Sequence, residues 1–390
     1  MKRYRLKYIL ILVLIIHIGY GFSLVQYNLL NISGIYDTWV DEREEYIETA
    51  LTHIAPDILV TQEIFDEEGA EFLLEKLQLA HDDYQMSEFL DGPDTDNMLY
   101  YRSSMFSLEG QFTIDTELRD INGYEIHEGD AVFYIFSAHL KASSGSSNER
   151  QRYREARELR EYIQDNLPED AFYILCADLN LYGGSERAYE ELTSPGHGGF
   201  IDPLDNDSEW HNNESLAWIH TQSTRTDNFF GGSTGGLDDR FDFILLSPNF
   251  MDDAGVEFLD ETYEAIGNDG RHFNISINEY PISGDEDFID ALYHASDHLP
   301  VRCEIYNPLS ISEGQPLPDN KSIYVFPNPF NSACRIGSKP GKYQIYDITG
   351  NIIDTLNGEN IWRPGDNVYS GIYIIRNTES GQHSRVFYIK

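Results

Sequence analysis

The stretch Phe172–Asn180, FYILCADLN, runs from apolar residues straight into Asp178, Leu179 and Asn180. It predicts a buried strand whose C-terminal end reaches a site. At the two-residue period of a strand, Asp178 and Asn180 point the same way off that end. An acid there can orient or deprotonate a water. An amide beside it can donate to a phosphoryl oxygen without adding negative charge. Alone, the stretch is equally consistent with an Asx turn closing an ordinary strand. The rest of the chain decides.

Working outward, further apolar runs also end in polar residues. LVQYNLL (Leu24–Leu30) contains Asn28, and DILVTQEI (Asp57–Ile64) has Glu63 at its C-terminal end. A carboxylate closing an apolar strand is costly unless it is exposed, paired or bound to metal. VFYIFSAHL (Val132–Leu140) carries His139, followed by Lys141 and a Ser/Gly-rich turn. RFDFILLS (Arg240–Ser247) carries Asp242, and ASDHLPVRCEI (Ala295–Ile305) leads into a last strand through Asp297 and His298. Helical patterns over Thr38–Ile54, Gly69–Leu79 and Glu149–Gln164 alternate with these strands, which predicts an α/β chain. The third helix pairs Arg and Glu at spacings of three and four, so its Arg run reads as solvated surface rather than a nucleic-acid patch. Residues 251–290 read as an acidic, irregular excursion.

The net charge of −40 is uneven. Residues 24–306 hold 15 basic and 60 acidic residues, a net of −45. Such a surface repels polyanions at long range, so a nucleic-acid substrate needs divalent metal and a local basic patch. Residues 1–23 place four basic residues ahead of an apolar run, Tyr8–Ile18, and then small residues at Gly19, Gly21 and Ser23. That is the pattern of a signal peptide cleaved near Gly21–Ser23, and the apolar run is short for a membrane span. Cys176, Cys303 and Cys334 form no zinc-type CxxC pair, and Cys176 and Cys303 read as buried thiols, a bridge between them being the alternative. Three prolines in 307–320 mark a linker. Beyond it, short strands with Gly/Asn turns predict a small β-sandwich over 321–390.

The strand-end residues make one chemical inventory. Glu63, with Asp297 or Asn28, offers hard oxygens suited to Mg²⁺ (Mn²⁺ or Ca²⁺ as substitutes). Asp242 paired with His298 fixes the imidazole tautomer. Asp178 and Asn180 would hold water and phosphate, and His139 would steady developing charge.

QYNLLN, DILVTQEI, SAHLKAS, CADLN, DRFDFILLS and ASDHLPV together resemble, in order, the motifs of the endonuclease/exonuclease/phosphatase superfamily. The resemblance spans Leu24–Tyr306. It implies a four-layer α/β sandwich and metal-dependent phosphoester hydrolysis. By motif match it puts Asn28, Glu63 and Asp297 at metal positions, and His139, Asp178, Asn180, Asp242 and His298 at catalytic ones. The departure is Cys176-Ala177, where that superfamily usually has a Gly just before the Asp. No firm carboxylate partner for His139 emerges, Asp96 being the candidate. VFPNPFN, IYDITGNII and SGIYIIRN resemble the C-terminal sorting domain of type IX secretion substrates, which implies export and interaction with secretion machinery. The expected protein is a secreted or surface-attached monomer without a stable membrane span, acting as a nuclease on nucleic acid. Lys141 and Arg240 (with Arg225 nearby) are expected to bind substrate phosphate. A phosphatase or a sphingomyelinase-like lipid phosphodiesterase is the alternative, with a surface adhesin on a dead enzyme fold less consistent with the retained residues.

Overall fold

The computed structural model describes residues 21–35, 39–251, 256–259 and 262–307, and in the tail 325–326, 333–337, 341–347, 352–365, 368–369, 371–378, 383–388 and 390. The expected signal peptide up to residue 20 and the expected linker from 308 lie outside the described residues. The chain divides into two compact units, Met1–Ser310 and Ile311–Lys390.

In the first unit, β1 (Gly21–Ile32), β2 (Ile58–Ile64), β3 (Tyr84–Met86), β4 (Asp96–Arg102), β10 (Glu257–Phe258), β11 (Glu264–Ala265) and β12 (Val301–Tyr306) make one mixed sheet. Its order is β10-β12-β1-β2-β4-β3, with β11 also on β12. A second sheet runs β5 (Ser107–Ile114), β6 (Ile121–Glu128), β7 (Ala131–His139), β8 (Phe172–Asp178) and β9 (Asp242–Leu246). Helices α1 (Val40–Ile54), α2 (Glu67–Ala80) and α5 (Glu286–Ala295) cover the first sheet. Helices α3 (Ser146–Asn166) and α4 (Arg187–Thr193) cover the second. The result is a four-layer α/β sandwich.

The period of two explains the layering. Leu24, Ile58, Val60, Leu99, Ile135, Ile174, Cys176 and Ile244 fill the space between the sheets. Their strand neighbours Val25, Leu59 and Met98 face the first helix layer, and Phe136, Leu175 and Phe243 face the second. Cys176 and Cys303 lie in the inter-sheet core as free thiols, without a bridge. β1 begins at Gly21, ahead of the expected mature start at Leu24. Phe22 is buried in the inter-sheet core, and Ser23 donates through its backbone N and its hydroxyl to Asp57.

α3 departs from the solvated reading. Arg152 and Arg160 are buried. Arg152 donates to Glu186 and to the carbonyls of Lys141 and Ser143, bracing the turn after β7. Arg43 does similar work in α1. Its guanidinium, fully buried, donates to the carbonyls of Leu29, Leu30 and Ala295, joining α1 to the ends of β1 and α5. α5 occupies part of the segment read from sequence as irregular; Asp285 caps it by accepting from the backbone N of Asp287 and Phe288.

The second unit is a small all-β structure. One sheet joins β13 (Val325–Phe326), β14 (Cys334–Ile336) and β17 (Ile361–Trp362); another joins β15 (Gly341–Asp347), β16 (Ile352–Glu359), β18 (Gly371–Asn377) and β19 (His383–Tyr388). Buried Trp362 sits in its core with Ile345, Ile375 and Val386.

Arg43→Ala leaves three buried carbonyls without their donor. It is expected to lower the unfolding free energy by roughly 3 kcal/mol or more, read from the urea midpoint.

Candidate active site

The site is the polar end of the layer between the sheets. Asn28, Gln62, Ser137, His139, Asp178 and Asp242 share the strand parity of the inter-sheet apolar residues, so the alternation that builds the core also aims them at one place. Register does the rest. His139 pairs with Asp178 across β7 and β8, and Asp178 pairs with Asp242 across β8 and β9. Glu63 comes next after Gln62 and would face the helices in a regular strand. The pairing of β2 with both neighbours is interrupted here, and Glu63 takes a left-handed φ of 64°. That bulge lets its carboxylate meet Asn28. Asn180 also has positive φ, 51°, in the turn leaving β8.

Asp178 is the hub. Its Oδ2 accepts from Asn28 Nδ2 at 3.0 Å and lies 3.5 Å from His139 Nε2 and 3.7 Å from His298 Nε2. Its Oδ1 accepts from the Asn180 backbone N at 3.1 Å. Burial pushes its pKa up to about 7 against the opposing pull of His298. Asn28 Nδ2 also donates to Glu63 Oε1 at 3.0 Å, and Asn31 N donates to Glu63 Oε2 at 3.1 Å. Burial, reinforced by the charge of Asp297, raises Glu63 as well.

His298 Nδ1 lies 2.8 Å from Asp242 Oδ2, the pairing expected from sequence. Burial alone would lower this imidazole, but Asp242, Asp178 and Asp297 hold it well above its usual value. His139 goes the other way: burial, with the charges of Arg119, His298 and Lys141, holds it well below. Two histidines a few ångströms from one carboxylate are thus pushed in opposite directions, His298 toward the charged form and His139 toward the neutral one. His139 Nδ1 is buried without a partner, and Asp96 does not supply one; its Oδ1 accepts from Gly92 N.

Asp297 Oδ2 accepts from Ser233 N at 2.6 Å and from Gln222 Nε2 at 3.3 Å, while its Oδ1 is buried with no partner. Gln222 Nε2 lies 2.6 Å from His298 Nε2, so one amide orientation suits a neutral ring and the flipped one suits the imidazolium.

Glu63 and Asp297 present hard oxygens, and the orphaned Asp297 Oδ1 is a ready acceptor for a cation. The Asn28 oxygen, expected from sequence to join them, instead accepts from Leu30 N, and its Nδ2 faces the carboxylates. Glu63, His139 and Asp178 bring one ligand atom each within 4.8 Å of one another, as do Asp178, Asp242 and His298. This donor set fits a hard divalent ion.

Arg240 is a correction. It is buried, forms a bidentate pair with Asp202 at 2.7 and 2.8 Å, and stacks on Phe243. It is committed to the core and is not free for substrate phosphate. Arg225 is likewise buried, held by Tyr293 O and Gly231 O and stacked on Phe229. Lys141 does flank His139.

Several residues escaped the sequence reading. Arg119 donates to His139 O at 3.4 Å, pairs with Asp94 at 2.8 Å and keeps a buried Nε without a partner. Its charge acts on both Glu63 and His139, which puts a guanidinium at the site. Gln26 Nε2 donates to Gln62 Oε1 and Asp242 Oδ1, and Gln62 donates to Ser137 Oγ and Cys176 O, forming an amide floor beneath the acids. The two glutamines had a signal, since they share parity with Asn28. Arg119 and Gln222 lie in stretches without periodicity and had none.

Residues 25–298 match the sequence profile of the Endonuclease/Exonuclease/phosphatase family. No curated protein is similar enough in sequence to match. Among solved structures, the endonuclease/exonuclease/phosphatase from Bacteroides vulgatus is 14% identical, covers 74% of this chain and 99% of its own, and gives a TM-score of 0.50. TDP2 from D. rerio, complexed with single strand DNA product, is 18% identical over 73% of this chain and 98% of its own, with a TM-score of 0.49. The human Nocturnin catalytic domain with bound sulfate is 17% identical over 74% and 94%, with a TM-score of 0.47. Of these three, the first reaches 0.50, and at its identity the likeness is one of fold.

His298→Ala and Asp242→Asn are expected to lower kcat at least a hundredfold, whereas Arg240→Met is expected to lower the unfolding free energy by roughly 3–5 kcal/mol through the stranded Asp202. Activity per folded molecule and denaturation curves separate the two roles. Asp96 gives a pH signature. Burial, with Asp91, Asp120 and Asp94, pushes its carboxyl from 3.8 up to about 7. Its protonated form favours the fold, so that contribution is complete below the unfolded value and is lost as the pH rises through about 7. The stability gain of Asp96→Asn over wild type should therefore grow between pH 4 and 7 and level off above, measured by urea denaturation across that range.

Proposed function

Because the chain belongs to the endonuclease/exonuclease/phosphatase family of phosphoester hydrolases, we propose that it is a metal-dependent nuclease cleaving phosphodiesters of DNA or RNA outside the cell. The observation that carries the chemistry is the convergence of Asn28, His139 and His298 on one oxygen of Asp178. Glu63 and Asp297 would hold the divalent ion, with Asn28 steadying the Glu63 carboxylate through its Nδ2. Mg²⁺ matches such oxygen donors, and when bound it would polarise a phosphoryl oxygen. Asp178, near neutrality in its pKa, takes the proton of the attacking water. Asn180 keeps that carboxylate aimed through its backbone N. The imidazolium of His298, fixed by Asp242, steadies negative charge as it builds on the phosphoryl group. Arg119, which reaches the His139 carbonyl, and Lys141, two residues beyond His139, are the cations whose charge reaches the site and could meet neighbouring phosphates.

The lipid reading has less support. Membrane docking needs an exposed apolar loop, and the Asn228–Gly236 loop offers Phe229 and Phe230. Phe229 packs against Arg225, Tyr293 and His294 instead. Among the described residues no helix is long and apolar enough to cross a membrane.

Export is part of the proposal. The N-terminal basic and apolar pattern supports a leader, and cleavage ahead of Phe22 keeps that core residue. The separate tail unit with its own core around Trp362 supports a sorting domain.

Purified protein with Mg²⁺ is expected to degrade plasmid DNA or RNA, and EDTA to stop it, with activity restored by added Mg²⁺ or Mn²⁺. Hydrolysis of sphingomyelin or a phosphomonoester with no cleavage of nucleic acid would overturn the nuclease reading.

A further inference from the structure

Trp39 is a large apolar side chain left exposed, at 46%, among the described residues of the first unit. It stands at the start of α1 in a left-handed conformation, φ 56°. Its carbonyl accepts from Arg43 N, and Arg43 grips the carbonyls of Leu29, Leu30 and Ala295. Leu29 directly follows Asn28, and Ala295 lies two residues before Asp297. One turn of helix therefore ties Trp39 to two of the three chain segments that carry the residues expected to bind metal, those of Asn28 and Asp297.

A second tie runs through the Gly231–Gly232 pair, both at positive φ. A Cβ on Gly231 would lie 3.3 Å from Trp39 Cζ3, and one on Gly232 would lie 2.8 Å from the carboxylate of Asp297. The indole and the carboxylate thus flank adjacent residues of one loop. Arg225 holds that loop through Gly231 O, and Ser233 N donates to Asp297. The ring is exposed and lies against the loop whose next residue meets Asp297. Core packing does not account for such an arrangement, whereas a flat ligand beside the phosphate does.

We propose that the Trp39 indole is the platform on which a nucleobase next to the scissile phosphate stacks. The inference rests on the nuclease reading and deepens it. The catalytic region carries a net of −45, so long-range charge opposes a polyanion. Stacking on an aromatic ring supplies affinity that does not depend on charge and tolerates any base. Binding through this platform should accordingly show little base preference.

The test uses the full-length chain. On a short oligothymidylate, Trp39→Ala is expected to raise KM about tenfold with kcat nearly constant, and Trp39→Phe to recover most of the loss. On an oligomer of the same length with abasic sites in place of the bases, the KM penalty of Trp39→Ala should largely vanish. In EDTA, oligothymidylate should quench the tryptophan fluorescence of wild type more than that of Trp39→Phe. An equal penalty on both oligomers, no penalty on either, or a loss confined to sphingomyelin vesicles would overturn the platform. If wild type cleaves no nucleic acid at all, the nuclease reading falls with it; cleavage indifferent to Trp39 sinks the platform alone.

Discussion

Asp178 and Asp242 face each other in register on adjacent strands, both buried, with His298 between them. Two carboxylates cannot both stay ionised in such a place without a compensating charge. His298 supplies it, 2.8 Å from one acid and 3.7 Å from the other. The amides of Gln26 and Asn28 occupy further lone pairs. Remove the imidazole and the remaining acids repel one another in a dry layer. The same contact that makes the layer tolerable leaves Asp178 able to exchange a proton near neutrality. Structural need and chemical competence are met by one ring.

That cluster also sets what the backbone must do. Glu63 could not join it from a regular strand, so β2 breaks its pairing and accepts a left-handed residue. A bulge beside a site re-aims one side chain without disturbing the strand that carries it. The helices answer to the same place. Arg43 from α1 and Arg152 from α3 each donate to backbone carbonyls near the strand ends, so the outer layers hold the inner geometry.

The apolar runs were the legible part. They predicted β1, β2, β7, β8, β9 and β12, and the polar residues at or near their ends come together in space. α1, α2 and α3 were legible from their helical spacing, within a few residues of their ends. β5 and β6 were not, because strands such as SLEGQFTI have one half-exposed face and little periodicity. α5 was masked by the acidic composition around it, although its buried face of Phe288, Ile289, Ala291 and Leu292 is plain once the fold is known. Charge was the least legible quantity. Arg240 reads from sequence as a free cation next to a site motif, and only the distant Asp202 reveals that it is spent in the core. The orphaned Nε of Arg119 shows the converse, a cation at the site with no motif around it.

Arg43, Arg152, Arg160, Arg225 and Arg240 all turn inward. The outer surface of the first unit therefore has fewer exposed cations than its composition suggests, while most of its acids remain in water. Around such a particle the counter-ion cloud is enriched in cations, and divalent ions gather in it more strongly than monovalent ones. Such a cloud would raise the local concentration of hard ions near the oxygen donors of the site. Rising monovalent salt would thin that cloud and weaken the repulsion of polyanions together, two effects of opposite sign on the same reaction.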